Sequence, residues 1–138
     1  MSIIDHVGLA VTDFGRSSAF YTATLGTLGF RPLAQFSEGG QEHAGYGKDG
    51  PSFWIGTGKR YPGEAHVAFV ATSRAEVDAF HMTALANGGR DNGKPGLRPH
   101  YHANYYAAFV LDPDGLNIEA VCHKSVEDDR EAHLHHRL

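Results

Sequence analysis

Residues 6–11 (His-Val-Gly-Leu-Ala-Val) put His6, Gly8 and Ala10 on one side of an extended chain and Val7, Leu9 and Val11 on the other. That two-residue period predicts a strand with one buried face. Residues 66–71 repeat it, with His66, Ala68 and Val70 opposite Val67, Phe69 and Ala71. A helical pattern follows each run. In the second, Ser73 and Glu76 form a capping box, and Val77, Phe80, His81, Ala84 and Leu85 recur at helical spacing until Asn87-Gly88-Gly89 stops the helix. In the first, Asp13 is the start signal, the helix covers 14–25, and residues 26–29 end it.

These two stretches are copies at an offset of 60. His6-Val7 returns as His66-Val67, Thr12 as Thr72, Ala19-Phe20 as Ala79-Phe80, Leu25 as Leu85 and Gly29 as Gly89. Identities at matching stations imply a duplicated supersecondary unit. Each half continues in short strands, predicted at 30–36, 42–47 and 52–57 in the first, with a glycine-rich loop at 37–41. The second half has a weak strand at 89–94, then 105–111 and 117–122, with Asp112-Pro113-Asp114-Gly115 as the turn between the last two. The expected fold is α+β, two βαβββ modules of about 1–60 and 61–123 forming one domain over 1–123, followed by a polar tail at 124–138.

Composition narrows the function classes. A chain of 138 residues with 41% hydrophobic and 20% charged positions suits one globular domain. A formal charge of -4 with scattered basic residues offers nucleic acid no footprint, and no apolar run suggests a membrane, so a small molecule is the expected partner. The single Cys122 excludes an intrachain disulfide, and the N-terminus lacks a signal-peptide pattern; a cytoplasmic location is expected.

Ten histidines are the unusual feature. His133, His135 and His136 belong to the tail and read as solvated. In the strands, Phe53 and Ile55 oppose Ser52, Trp54 and Gly56, while Ile118, Ala120 and Cys122 oppose Asn117, Glu119 and Val121. The apolar faces belong under the helices, leaving the others to line a cleft that Gly8, Ala10 and Ala68 are too small to fill. His6, His66 and Glu119 are expected to point into it as a two-histidine-one-carboxylate set. Such a set holds a divalent ion by three protein ligands and leaves positions open for substrate.

The runs Asp5-His6-Val7-Gly8-Leu9-Ala10-Val11, Ala19-Phe20-Tyr21 with Leu25-Gly26, and Asp112-Pro113-Asp114-Gly115-Leu116-Asn117-Ile118-Glu119 resemble the vicinal-oxygen-chelate superfamily. Its members include glyoxalases, bleomycin-resistance proteins and extradiol dioxygenases, and the likeness covers about residues 3–123. The resemblance implies paired modules whose mixed sheets curl around a cleft, a divalent metal (Fe, Mn, Ni or Zn) at His6, His66 and Glu119, and a homodimer. It also implies a metal-dependent lyase, isomerase or dioxygenase acting on a small molecule that chelates through two oxygens. The alternative it implies is a metal-free binding or resistance protein with aromatic walls.

Two departures bear on activity. Glyoxalase I has a fourth ligand, a glutamate, where this chain has Trp54. Residues 42 and 43, Glu42 and His43, are the other candidate bases. Extradiol dioxygenases place a histidine and a tyrosine ahead of the last glutamate; His100 matches the first, but Phe109 stands at the second, which leaves Tyr105 or Tyr106 to substitute. His100 and Tyr105 are therefore the candidate catalytic groups. Trp54, Arg98, Tyr101, His102 and Tyr106 are the candidate substrate contacts, with Arg98 to His102 forming a loop over the cleft mouth. His123 is a candidate outer-shell residue, His81 reads as a boundary residue of its helix, and Arg16 as solvated.

Overall fold

A computed structural model describes residues 2–129, and the tail histidines His133, His135 and His136 lie outside them. The first half runs β1 (Val7–Val11), α1 (Phe14–Gly26), β2 (Arg31–Glu38), β3 (Gln41–Gly47) and β4 (Pro51–Thr57). The second runs β5 (His66–Val70), α2 (Arg74–Ala86), β6 (Arg90–Leu97), β7 (Tyr106–Leu111) and β8 (Asn117–Cys122). Both helices span thirteen residues and start sixty positions apart, so the repeat seen in the residues is a repeat of structure. Each half forms a four-stranded mixed sheet, in the orders β1-β4-β3-β2 and β5-β8-β7-β6. The sheets do not close: β1 pairs in parallel with β4, β5 pairs in parallel with β8, and β1 and β5 stand at the edges of separate sheets.

The caps obey their residue chemistry. Asp13 accepts from the Arg16 N–H at 3.1 Å, and Ser73 accepts from the Glu76 N–H at 3.1 Å. Glu76 reaches back to the Thr72 N–H at 2.7 Å, one residue earlier than a standard capping box. The predicted loop at 37–41 is shorter than expected: β2 extends to Glu38, β3 starts at Gln41, and Gly39-Gly40 turn between them with φ of 60° and 79°. Two consecutive positive φ values suit a two-residue hairpin and require little more than glycine. The weak strand near 89–94 proves to be the eight-residue β6, its pairing with β7 interrupted by register shifts at Gly93 and Gly96.

One core serves both halves. Val11, Phe20, Tyr21, Leu25, Phe53 and Ile55 of the first pack with Phe69, Val77, Phe80, Val110, Ile118 and Cys122 of the second. The Phe53 and Phe69 rings meet edge to face at 5.1 Å, and α1 packs on α2. Leu85 departs from its repeat partner: Leu25 is fully buried, whereas Leu85 is 41% exposed, because the buried stripe of α2 is Val77, Phe80 and Ala84. A buried hydrogen bond joins the halves. The Tyr21 hydroxyl donates to Asp112 at 2.5 Å, and Asp112 also accepts from the N–H groups of Asp114 and Leu116, both at 2.9 Å. Burial raises the pKa of Tyr21 well above its ordinary value, with the Asp112 charge adding to the shift. Burial also raises that of Asp112, against the hydrogen bonds it accepts. Among the described residues no helix is long and apolar enough to cross a membrane.

Candidate functional site

With Phe53, Ile55, Ile118 and Ala120 turned to the core, the alternate residues of each sheet face away from the helices. The second sheet gathers chemistry there. β8 pairs with β5 so that Glu119 stands beside Ala68, and the His66 Nε2 lies 2.8 Å from Glu119 Oε1. Glu119 is 2% exposed. Its other oxygen accepts a short hydrogen bond from the Tyr105 hydroxyl. The opposite nitrogen of His66, Nδ1, lies 3.2 Å from the Asn117 carbonyl oxygen. The imidazole therefore sits between two acceptors. A neutral ring has one N–H; the contact at the remaining nitrogen is completed by a proton, carried by the ring or by Glu119, or by a metal ion. An imidazole whose far N–H is held by a main-chain carbonyl is the arrangement by which proteins orient metal-binding histidines.

The loop between β6 and β7 packs against Tyr105. His100 packs on Tyr101 at 4.1 Å between ring centroids, and Tyr101 on Tyr105 at 4.8 Å. The Asn104 N–H donates to His102 Nδ1 at 3.0 Å, which assigns the proton to Nε2, and that nitrogen donates to His123 Nδ1 at 2.6 Å. Both rings edge onto Tyr105. Burial, reinforced by the hydrogen bond to Glu119, pushes the Tyr105 pKa up to about 12. Tyr106 lies on the opposite face: alternation along β7 turns it toward α2, where its hydroxyl donates to Asp78 at 2.6 Å and its ring meets the Arg74 guanidinium. Tyr106 therefore does not reach the site as a substrate contact. Burial and the Asp78 hydrogen bond push its pKa up to about 12 as well.

These shifts predict a late alkaline titration. The folded values lie above the ordinary phenol value of about 10, so the stability linked to Tyr105 and Tyr106 is complete below pH 10 and is lost as pH rises toward 12. Phenolate absorbance should show at least Tyr21, Tyr105 and Tyr106 of the six tyrosines ionising late, with unfolding over the same interval. All six titrating within the ordinary phenol range would contradict this.

The first sheet presents a different surface. Its cavity of about 720 Å³ is lined by Asp5, His6, Gly8, Phe36, His43 and Trp54 among others, a size suited to small-molecule ligands. His6 is 58% exposed and pairs with Asp5 at 2.6 Å. The Trp54 indole lies across Gly45, where a Cβ would come within 2.9 Å of the ring, and His43 lies over Gly56, where a Cβ would meet Nδ1 at 2.8 Å. Phe36 stacks on His43 at 4.7 Å and meets Trp54 edge-on at 5.9 Å. The place of Phe36 in this group depends on cross-strand register, which a linear pattern does not carry. The paired glycines of β3 and β4 are the signal that would have found it.

The structure thus brings His66, Glu119 and Tyr105 together, with His102 and His123 beside them, and keeps His6 with Trp54 on the other sheet. Among the described residues no three His, Cys, Asp or Glu side chains converge closely enough to hold one ion. The expected convergence of His6, His66 and Glu119 is not formed within one chain, because β1 and β5 share no ladder. His100 reaches Tyr105 only through Tyr101.

Comparison with known proteins agrees with this architecture. The Glyoxalase/Bleomycin resistance protein/Dioxygenase superfamily profile matches residues 3–120. No curated protein matches. A glyoxalase/bleomycin resistance protein from Albidiferax ferrireducens T118 is 31% identical, with 88% of this chain and 99% of that one covered and a TM-score of 0.68. A glyoxylase/bleomycin resistance protein/dioxygenase domain from Frankia sp. EAN1pec shares the fold at 20% identity, covering 90% and 99%, with a TM-score of 0.68. The E144Q mutant of glyoxalase I from Zea mays is 22% identical with a TM-score of 0.67, and its match covers 91% of this chain but 47% of that longer one. The chain belongs to the Glyoxalase/Bleomycin resistance protein/Dioxygenase superfamily.

Proposed function

We propose that this protein is a metal-dependent enzyme acting on a small molecule through two adjacent oxygens, with His66 and Glu119 of one protomer and His6 of a second protomer holding a divalent ion. The observation that carries the reading is the position of His66, held by the Asn117 carbonyl at Nδ1 and with Nε2 beside the Glu119 carboxylate, where one divalent ion can take both as ligands. A bound Fe, Mn, Ni or Zn ion would supply Lewis acidity toward the chelating oxygens. The Asn117 carbonyl holds the His66 ring by its far N–H, and Tyr105 fixes the Glu119 carboxylate while keeping its own proton. Trp54 and Phe36 supply an apolar wall that excludes water. Trp54 cannot exchange a proton with substrate, so the reaction is not one that needs a carboxylate base at that station. A partner is invoked because the open faces carry His6 on one sheet and His66 with Glu119 on the other, and a two-fold axis brings two such patches together.

A second reading, a metal-free binding protein, is favoured by the Phe36, His43 and Trp54 group, which suits a planar ligand. One experiment separates the two. Untagged protein stripped of metal is titrated with Mn(II), alongside His6→Ala, His66→Ala and a refolded mixture of both variants. The parent is expected to bind tightly and each variant weakly. Random pairing makes about half the dimers hybrids with one complete site each, so the mixture should regain about a quarter of the tight sites. No recovery would remove the shared site, and tight uptake unchanged by His66→Ala would leave the binding-protein reading.

A further inference from the structure

We infer that Arg98 is a specificity-determining residue that binds a carboxylate, so that the substrate is a small acid bearing its two chelating oxygens at the end remote from that carboxylate. The inference rests on the proposed function for the chelating end, and on separate observations for the acidic end.

Arg98 stands directly across from Tyr105, its N–H donating to the Tyr105 carbonyl at 2.7 Å. Cross-strand partners project to the same face, so the guanidinium shares the open face of the second sheet with the Tyr105–Glu119–His66 group. The Phe109 ring supports it, with Cζ 5.4 Å from the ring centroid, and Phe109 in turn stacks against His66 at 6.1 Å. One phenyl ring therefore separates the fixed positive charge from the imidazole. The guanidinium is held in place: Nη1 donates to the Gly96 carbonyl at 2.9 Å and Nη2 to the Lys94 carbonyl at 2.7 Å. The backbone is shaped to receive it. A Cβ at Gly96 would come within 3.2 Å of Nη1, and one at Gly93 within 3.3 Å of Nη2 and 2.9 Å of the Phe109 ring.

These contacts anchor the group without neutralising it. Carbonyl oxygens carry no net charge, and among the described residues no carboxylate lies within ion-pair distance of Arg98. A half-buried, oriented guanidinium with remaining donors is suited to a carboxylate, which it meets with charge-assisted hydrogen bonds. The two separations across Phe109, 5.4 Å and 6.1 Å, suit a ligand with two oxygens at one end, a carboxylate at the other and about one six-membered ring between them.

Protocatechuate, its primary amide and catechol are suitable probes, titrated into the Mn(II)-loaded full chain with Trp54 emission and calorimetry as readouts. Protocatechuate is expected to bind about ten- to a hundred-fold more tightly than its amide. In Arg98→Gln that preference should collapse toward equal binding of acid and amide. Comparing acid with amide on the parent protein needs no variant, so the test survives a misfolded Arg98→Gln. Equal binding of acid and amide by the parent, or a preference that persists in folded Arg98→Gln, would overturn the inference alone. Failure of the parent to hold Mn(II) or catechol would remove both the proposed function and this inference.

Discussion

Glu119→Gln is expected to weaken divalent-metal binding well beyond the roughly 10- to 100-fold that loss of an outer-shell partner brings. The carboxylate is 2% exposed and splits its oxygens between His66 and Tyr105. An amide keeps the shape but loses the charge, and it offers one oxygen where two acceptors are used. Its NH2 meets the His66 nitrogen only by donating to it, which occupies the lone pair a metal ion would need. Tyr105→Phe removes only the partner of Glu119 and should fall inside the roughly 10- to 100-fold range. Competition titrations against a chelating dye order the three proteins. Glu119→Gln binding metal as tightly as the parent would dismiss Glu119 as a ligand, whatever happens to catalysis.

Asp112→Ala is expected to lower the unfolding free energy by about 3 kcal/mol or more, since each buried donor left without an acceptor costs about 1–3 kcal/mol. Asp112 is 1% exposed and receives the Tyr21 hydroxyl and two main-chain N–H groups, and the Tyr21 hydroxyl and the Leu116 N–H would be left buried without an acceptor. Tyr21→Phe leaves both N–H groups satisfied and should cost about 1–3 kcal/mol. Urea unfolding checks both. Equal losses would mean that the interhalf contact, rather than the turn 112–116, carries the stability.

Local patterns were legible where a single element decides its own form. The offset of 60 located both helices, and strand alternation separated Phe53 and Ile55 from Trp54, and Ile118 from Glu119. Pairings across strands were harder to read. Alternation required that Tyr105 and Tyr106 face opposite ways, yet only the register of β7 against β8 and α2 shows that Tyr105 takes the Glu119 side. β6 was underestimated because glycine and proline lower its strand propensity, while pairing with β7 overrides that local weakness. The meeting of His66 with Glu119 follows from the parallel pairing of β5 and β8. His6 had no such guide, since nothing in a linear pattern says whether two edge strands of separate sheets belong to one cleft or to two.

Gly45 has a practical consequence through the ring it admits. The indole of Trp54 is the only one in the chain, and it lies flat on the first sheet beside His6 and Phe36. Its emission is therefore an optical channel that reports on that surface. Docking of a second copy or of a planar guest should shift the colour of that light.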